Sequence, residues 1–286
     1  MKILVSSLII ALVIASPVCA QNSEGTLDKI NRSGTIVLGY RNSSPPFSSL
    51  DEGGRPIGYS IDLCLRVADA VKQQLGRNDL SIQFVPVEAD DRLRKVADGS
   101  IDIECGVTTN TLSRQEQVDF TLTTFITGAS LLLPAGSSAQ SVSDLKGKKI
   151  AVVENTTTEK ALRERLAAQK VDARVVTVAD HDVAMKMLGK GEVEAYAGDQ
   201  IVLIGLARTA ADPSKFVLAP ELFTYEPYGL VVRRNDADFR LVADRTLARL
   251  YRSGEIMQVF EKWFAGWGGR PSRLLLAVYA LNGLPE

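Results

Sequence analysis

The sequence predicts an α/β protein with two lobes, and three observations support this. Strand-like and helix-like patterns alternate along nearly the whole chain, which favours parallel-rich sheets covered by helices. The alternation falls into two consecutive series, each long enough to build one sheet. The 286 residues also carry enough apolar side chains for two well-filled cores.

The first series alternates short apolar strands with helix patterns. Apolar residues at Ile61, Leu65, Ala68 and Val71 recur at helical spacing and predict a helix within 57–76. The other predicted elements are strands at 35–40, 80–87, 101–104 and 130–133, a Ser-Ser-Pro-Pro loop after the first strand, and a helix at 90–97.

The second series begins near residue 149 and is followed by further helices. Its predicted elements are strands at 149–153, 174–178, 195–197 and 228–233, and helices at 159–169, 182–188, 200–207, 236–252 and 255–264. Because the last helices need an apolar surface to cover, we expect them to return to the first lobe. The chain then crosses between lobes near 124–129 and 224–229. The first lobe would comprise 21–126 and 225–286, and the second 127–224.

The N-terminus predicts a secretory signal peptide. Lys2 precedes an apolar run from Ile3 to Ala15, and the tripeptide Val18-Cys19-Ala20 supplies a cleavage site after residue 20. The run is shorter than the roughly 18–20 apolar residues of a membrane span. A lipid-modified Cys19 is the alternative, although Val18 is bulky where lipoprotein signals usually carry a small residue. We therefore expect an exported protein.

Composition argues against several classes of function. The net charge is −1, with both signs interspersed, so no nucleic-acid-binding signature is present. Two cysteines (Cys64 and Cys105) remain after residue 20, with one histidine, and their scattered positions match no zinc spacing. We expect neither a metal nor a cofactor. In an oxidising compartment the two cysteines form a disulfide or stay as buried thiols, and the sequence leaves both open.

Several polar side chains follow predicted strands, at the edge where open α/β sheets bind ligands. The candidates are Arg41, Arg92, Thr109, Arg114, Thr156, His181 and Asp199. Each has an ordinary alternative, since surface arginines usually bind nothing and Thr or Asp often caps a helix. Arg92 can pair with Asp90 or Asp91. As a set they indicate a site for a ligand with one ammonium and two carboxylates.

Two strand-to-helix turns have the composition of anion sites. Residues 104–114 and 154–159 are rich in hydroxyls and precede predicted helices, where backbone N–H groups lack partners. Arg114 adds a planar fork that suits a carboxylate. A plain helix cap explains the same pattern.

The order of these motifs resembles the periplasmic amino-acid-binding proteins of ABC transporters (bacterial solute-binding family 3), especially the glutamate/aspartate-binding branch. The resemblance rests on Pro45-Pro46-Phe47, Gly58-Tyr59-Ser60, Cys105-Gly106 with Thr109 and Arg114, and Tyr228-Gly229, and it spans about residues 25–265. It implies a type II periplasmic binding protein fold, in which two mixed sheets flanked by helices are joined by two crossing strands.

The resemblance also implies roles. Arg114, with Thr109, would hold the α-carboxylate of the ligand, and Asp199 its α-ammonium. The side-chain carboxylate would fall to Arg41, Arg92 and His181, with Thr156 contributing from the second lobe. Tyr59 would either line the pocket or belong to the core. The implied partners are an acidic amino acid and an ABC permease in the inner membrane, with the protein working as a periplasmic monomer.

Three features depart from that branch. Val107 and Ala89 stand where the branch usually has Ser, and each change removes a hydroxyl donor. The tail at 274–286 is also unusual, and we expect its apolar face to pack on the first lobe, the alternative being a partner-binding surface. Two other functions stay open: an exported dehydratase of prephenate-like acids on the same fold, and a ligand sensor for a chemoreceptor.

Overall fold

The computed structural model describes residues 24–286, and the predicted signal peptide lies outside these residues. The strands, numbered in chain order, are β1 (Thr35–Tyr40), β2 (Ser43–Ser44), β3 (Ser48–Leu50), β4 (Pro56–Ile57), β5 (Ser81–Pro86), β6 (Ile103–Glu104), β7 (Val118–Phe120), β8 (Phe125–Thr127), β9 (Ala129–Pro134), β10 (Lys149–Val153), β11 (Arg174–Val178), β12 (Ala195–Asp199), β13 (Phe216–Leu218), β14 (Glu226–Tyr228) and β15 (Val231–Arg233).

Helices alternate with these strands. They are α1 (Thr26–Ser33), α2 (Tyr59–Leu75), α3 (Arg92–Ala97), α4 (Leu112–Gln115), α5 (Thr157–Gln169), α6 (His181–Gly189), α7 (Gln200–Thr209), α8 (Ala237–Ser253), α9 (Glu255–Phe264) and α10 (Arg273–Asn282). Short 3₁₀ turns lie at Val142–Leu145, Pro213–Lys215 and Ala265–Trp267.

Two five-stranded sheets form the centres of the two lobes. The first has the order β5-β1-β6-β15-β7, and the second β11-β10-β12-β9-β13. In each sheet three neighbouring strands are parallel, and the remaining two join antiparallel. The sheets are therefore mixed, as the resemblance implied, and the two-lobed α/β prediction is confirmed.

The chain crosses between the sheets twice, in β8 and β14. These two strands pair antiparallel, with Glu226 opposite Thr127 and Tyr228 opposite Phe125. Both lie where crossings were predicted. The predicted strand at 228–233 was wrong as one element. Gly229 and Leu230 separate β14, which belongs to the crossing pair, from β15, which enters the first sheet.

Helix α2 shows how local sequence sets the packing of the first lobe. Its buried residues include Ile61, Cys64 and Val71, and Gly76 ends the helix in the left-handed conformation (φ 64°). A Cβ atom at Gly58, before the helix, would lie 2.0 Å from the Phe47 carbonyl oxygen, so only glycine fits this approach. Ser43–Ser44 of the predicted Ser-Ser-Pro-Pro loop forms β2, which pairs with β3 in a small three-stranded sheet, β2-β3-β4.

The last helices return to the first lobe, as expected. Helix α8 packs on α2, and α10 packs on α8 and beside β8. In α10, Leu275 and Tyr279 are buried, and the Tyr279 ring stacks on Tyr251 with ring centroids 5.0 Å apart. The tail therefore covers the first lobe with one face.

Cys64 and Cys105 are joined by a disulfide, with their Cα atoms 6.1 Å apart. It links α2 to the segment that follows β6, and both residues are fully buried. Within residues 24–286, no helix has the length and hydropathy required to span a membrane.

Candidate functional site

A cleft between the two sheets collects nearly all the predicted site residues. Its cavity volume is about 40 Å³. Its walls are formed by Arg41, Ala89, Arg92, Val107, Thr109, Arg114, Val153, Thr156, Thr157, Thr158, His181, Tyr196, Ala197, Gly198, Asp199 and Val202.

The topology explains why distant residues converge there. Arg41 follows β1, and Thr109 and Arg114 follow β6, at the carboxyl ends of neighbouring parallel strands. In the second lobe, Thr156 follows β10 and Asp199 ends β12, which are parallel neighbours. The two strand-edge clusters face each other across the cleft, the default position for a ligand in this class of fold.

Arg41 and Arg92 are almost fully buried, with 3% and 4% of their surfaces exposed. Arg41 lies 3.2 Å from the Glu88 carboxylate, and Arg92 donates through Nε to the Thr108 hydroxyl at 2.8 Å. Among the described residues, Arg41 Nε and Arg92 Nη1 have no hydrogen-bond partner. Burial and the nearby charge of Arg114 lower the Arg92 pKa to about 9, so the side chain is still cationic at neutral pH.

Arg92 does not make the alternative pairing with its neighbouring acids. Asp91 instead pairs with Lys95 at 2.7 Å and accepts from the Glu88 backbone N–H at 2.9 Å. The Arg92 side chain is therefore directed into the protein, at a helix start where a cation gains nothing from the helix dipole.

Arg114 is the third arginine that lines the cleft, and hydrogen bonds hold it in place. Its Nη1 donates to the Thr109 carbonyl at 2.8 Å, and its backbone N–H donates to Thr111, the cap of α4. Burial lowers its pKa, while the carboxylates of Glu226 and Asp199 act in the opposite direction. The guanidinium thus lies at the cleft wall, within the influence of the Glu226 and Asp199 carboxylates.

Glu104 provides a buried counter-charge behind these arginines. It ends β6, is fully buried, and neither carboxylate oxygen has a hydrogen-bond partner among residues 24–286. Burial raises its pKa, and the charges of Arg92 and Arg41 oppose that rise. Its Oε1 atom would lie 2.1 Å from a Cβ at Gly106, so a larger residue there would displace the Glu104 carboxylate.

His181 is a neutral group in this site. Burial, followed by the charges of Arg41 and Arg92, lowers its pKa to about 3. Its Nδ1 is hydrogen-bonded to the Tyr196 hydroxyl. If that hydroxyl donates, Nε2 carries the proton and acts as a donor.

Asp199 is held by hydroxyl groups and does not cap its helix through its side chain. Thr158 donates to Oδ1 at 2.9 Å, and the Tyr228 hydroxyl donates to Oδ2. Burial, with the charge of Glu226 next in size, raises the Asp199 pKa to about 6.

The threonine hydroxyls are engaged within the protein. Thr156 donates to the Val153 carbonyl at 2.7 Å and accepts from the Glu159 N–H at 3.1 Å, which is the capping alternative. Thr109 donates to the Glu226 carboxylate at 2.5 Å. Both residues still line the cleft, but in this arrangement their hydroxyl protons do not point to a ligand.

Tyr59 does not line the cleft. Its ring is fully buried among Phe47, Phe125 and Phe264, and its hydroxyl donates to the Thr124 carbonyl at 3.0 Å. The core alternative is therefore correct, because β8 and α9 close over this position.

Several residues of the site were missed by sequence reasoning. Glu226, Tyr228 and Tyr196 form its hydrogen-bonded surroundings, and Glu104 its counter-charge. A buried acid on a crossing strand has no local motif, although Glu226 lies two residues before the Tyr228-Gly229 pair that the resemblance used. Ala89 and Val107 do line the cleft, and both contribute apolar surface to it.

Comparisons with known proteins agree with this architecture. Residues 36–266 match the bacterial extracellular solute-binding proteins, family 3. The L-glutamate/L-aspartate-binding protein of Pseudomonas aeruginosa is 38% identical over 91% of this chain and 87% of its own length. The glutamate/aspartate import solute-binding protein of Salmonella typhimurium is 36% identical over 84% of this chain and 79% of its own.

Solved structures show the same fold. An ancestral arginine-binding protein bound to glutamine is 29% identical, with a TM-score of 0.72 over 81% of this chain and 98% of its own. An ancestral amino acid-binding precursor of cyclohexadienyl dehydratase is 27% identical, with a TM-score of 0.73 over 84% of this chain and 100% of its own. With two lobes, a cleft at their strand edges and a family match across most of its length, this chain belongs to family 3 of the bacterial extracellular solute-binding proteins.

Proposed function

We propose that the protein captures an acidic amino acid, of the glutamate or aspartate type, for an ABC permease in the inner membrane. The observation that carries this is the pair of buried guanidiniums with unpartnered N–H groups, at Arg41 and Arg92. A buried cationic donor without a partner is costly, and a carboxylate in the cleft removes that cost. The names of the glutamate/aspartate-binding relatives support the same ligand class.

The two ends of the ligand would meet different groups. Arg114 would hold the α-carboxylate and Asp199 the α-ammonium. Arg41, Arg92 and a neutral His181 would hold the side-chain carboxylate, with His181 donating through Nε2. Thr109 and Thr156 would contribute backbone N–H groups, since their hydroxyls are engaged elsewhere.

We further propose that capture proceeds by lobe closure about β8 and β14. The moving parts would be 21–126 with 225–286, and 127–224. Closure would remove water from the arginine-carboxylate contacts and strengthen them. We expect an affinity near micromolar, about −8 kcal/mol. The protein would be exported by residues 1–20 and work as a periplasmic monomer.

Calorimetric titration with Glu, Asp, Gln and Asn tests this function. The protein is first unfolded and refolded to remove carried-over ligand. We expect Glu or Asp to bind roughly a hundredfold more tightly than the amides, which lack the second charge. Preference for Gln or Asn would overturn the assignment. Incubation with prephenate, followed by a search for an aromatised product, tests the dehydratase alternative.

Arg41→Ser is expected to weaken Glu and Asp binding about 10- to 100-fold, because a charge-assisted hydrogen bond contributes roughly 1.5–3 kcal/mol. The effect on Gln should be smaller. Titration of both ligand classes measures the difference. Arg55→Ser is the matched control, since Arg55 pairs with Asp51 on the surface with 83% of its side chain exposed. Acidic-ligand affinity within twofold of the unsubstituted protein would contradict the role of Arg41.

Ligand affinity is expected to fall as the pH drops through about 6. The Asp199 pKa is raised to about 6, so below that pH the group that accepts the ammonium becomes neutral. The stability of the ligand-free protein should respond in the opposite direction. Because the folded state binds this proton more tightly than the unfolded state, Asp199 destabilises the fold above pH 6, and this destabilisation is relieved progressively as the pH falls from 6 toward 3.8.

Titrations and urea unfolding between pH 5 and 8 check both signs. Asp199→Asn is the control. It should bind the ligand weakly, and neither its ligand affinity nor its stability should show the pH dependence that Asp199 causes. An affinity that stays constant across the range would rule out an ionised Asp199 as the ammonium acceptor.

A further inference from the structure

Glu226 connects the two lobes through one carboxylate. It is the first residue of crossing strand β14 and only 2% exposed. Its Oε2 atom accepts from Thr109 Oγ1 at 2.5 Å and from Thr157 Oγ1 at 2.8 Å. Thr109 follows β6 in the first sheet, and Thr157 begins α5, which packs on the second sheet.

We propose that Glu226 is a positioning residue that favours the closed arrangement of the lobes before any ligand binds. The inference rests on the proposed function only in taking the closed cleft as the ligand-holding form. When the lobes separate, Thr157 moves away from the crossing strands and its bond to Glu226 is lost. Glu226 and Thr109 stay on the first-lobe side.

The same carboxylate reaches the ligand-facing groups indirectly. Thr109, which donates to Glu226, also presents its carbonyl to Arg114 Nη1 at 2.8 Å. The hydroxyl oxygens of Thr109 and Thr157 lie 3.4 Å apart. The Glu226 carboxylate therefore links the two sides of the cleft near Arg114. Glu226 itself is not part of the cleft wall. It acts on the site through its two threonine donors.

Charged acceptors make stronger hydrogen bonds than neutral ones, and burial increases the difference. Glu226→Gln keeps the shape and one acceptor oxygen but removes the charge. Thr157→Val keeps the shape of the donor and removes its hydroxyl. Each change should lower the closed-to-open ratio of the ligand-free protein about tenfold. Together they should lower it little further, since Glu226→Gln weakens and Thr157→Val removes the same bond between the lobes.

Distances between spin labels on the two lobes measure this ratio. Spin labels at the exposed positions Glu52 and Lys190 report the distance between the two lobes. Double electron–electron resonance then gives the fraction of closed molecules in the absence of ligand. Thr127→Val is the matched control. Thr127 lies opposite Glu226 in the crossing pair, and within residues 24–286 its hydroxyl hydrogen-bonds only to the Gly128 carbonyl. We expect the control to leave the ratio unchanged.

A closed fraction in Glu226→Gln equal to that of the unsubstituted protein would overturn the proposal. Independent effects of the two substitutions, or no closed fraction in the unsubstituted protein, would do the same. If Glu226→Gln fails to fold, Thr157→Val alone still decides the question. Because no ligand is added, failure of acidic amino-acid binding leaves this test intact, and the two proposals fail separately.

Discussion

Arg114→Met is expected to lower the affinity for Glu and Asp by roughly two to four powers of ten. Removing one partner from a buried ion pair costs about 3–5 kcal/mol, because the remaining charge stays desolvated and unpaired. Here the ligand's α-carboxylate would be left without its fork, and the Asp199 and Glu226 carboxylates would lose a neighbouring cation. Calorimetric titration of the refolded variant measures the loss.

The size of that loss distinguishes a ligand contact from a structural role. Arg163→Met is the matched control, since Arg163 pairs with Glu159 on the surface of α5 and such pairs contribute about 0–1 kcal/mol. Arg114→Met should also weaken Gln binding, because every amino acid carries an α-carboxylate. If the thermal midpoint is maintained and the affinity for all four amino acids changes less than tenfold, Arg114 does not hold the carboxylate.

Reducing the Cys64–Cys105 disulfide is expected to lower the free energy of unfolding by about 4 kcal/mol. The bridge closes a loop with a sequence separation of 41, and the chain-entropy relation gives this magnitude for such a loop. Urea unfolding with and without a reductant measures the difference. The double substitution Cys64→Ala with Cys105→Ala should give a similar or larger loss, since it also removes buried atoms.

Ligand affinity provides a second measurement of what the disulfide does. Cys105 directly precedes Gly106, whose carbonyl accepts from Ser60 at 2.7 Å, so a second link holds the segment to α2. We therefore expect ligand affinity to change much less than stability on reduction. Equal urea midpoints in the oxidised and reduced states would show that the bridge does not constrain the unfolded chain.

Local pattern was sufficient for much of the fold. Strands β10 and β11 and helix α9 begin and end where the sequence predicts, because apolar periodicity and flanking polar residues define them without reference to the rest of the chain. The break between β14 and β15 was not predictable in this way. Residues 227–232 carry no charged side chain, and only the sheet that each half joins separates β14 from β15.

For the site, strand ends indicated which residues line the cleft but not the surroundings of those residues. Arg41, Arg92, Arg114 and Asp199 converge because parallel strands end at one edge. The charge state of His181 depends on the burial and cations that the fold supplies, and no spacing in the sequence reports them. Tyr59 fell in the core because its neighbours in space are Phe47 and Phe125, which are distant in the chain.

The tail helix α10 has a practical consequence for work on this protein. The family match ends at residue 266, so a boundary chosen from it would remove α10. Tyr279 contacts the Tyr59 hydroxyl at 2.8 Å, and Tyr59 holds the Thr124 carbonyl, next to β8. Truncation at residue 266 would remove this packing support beside crossing strand β8, but it would retain all the residues that line the cleft. Affinity tags therefore belong at the mature N-terminus, where they leave this support intact.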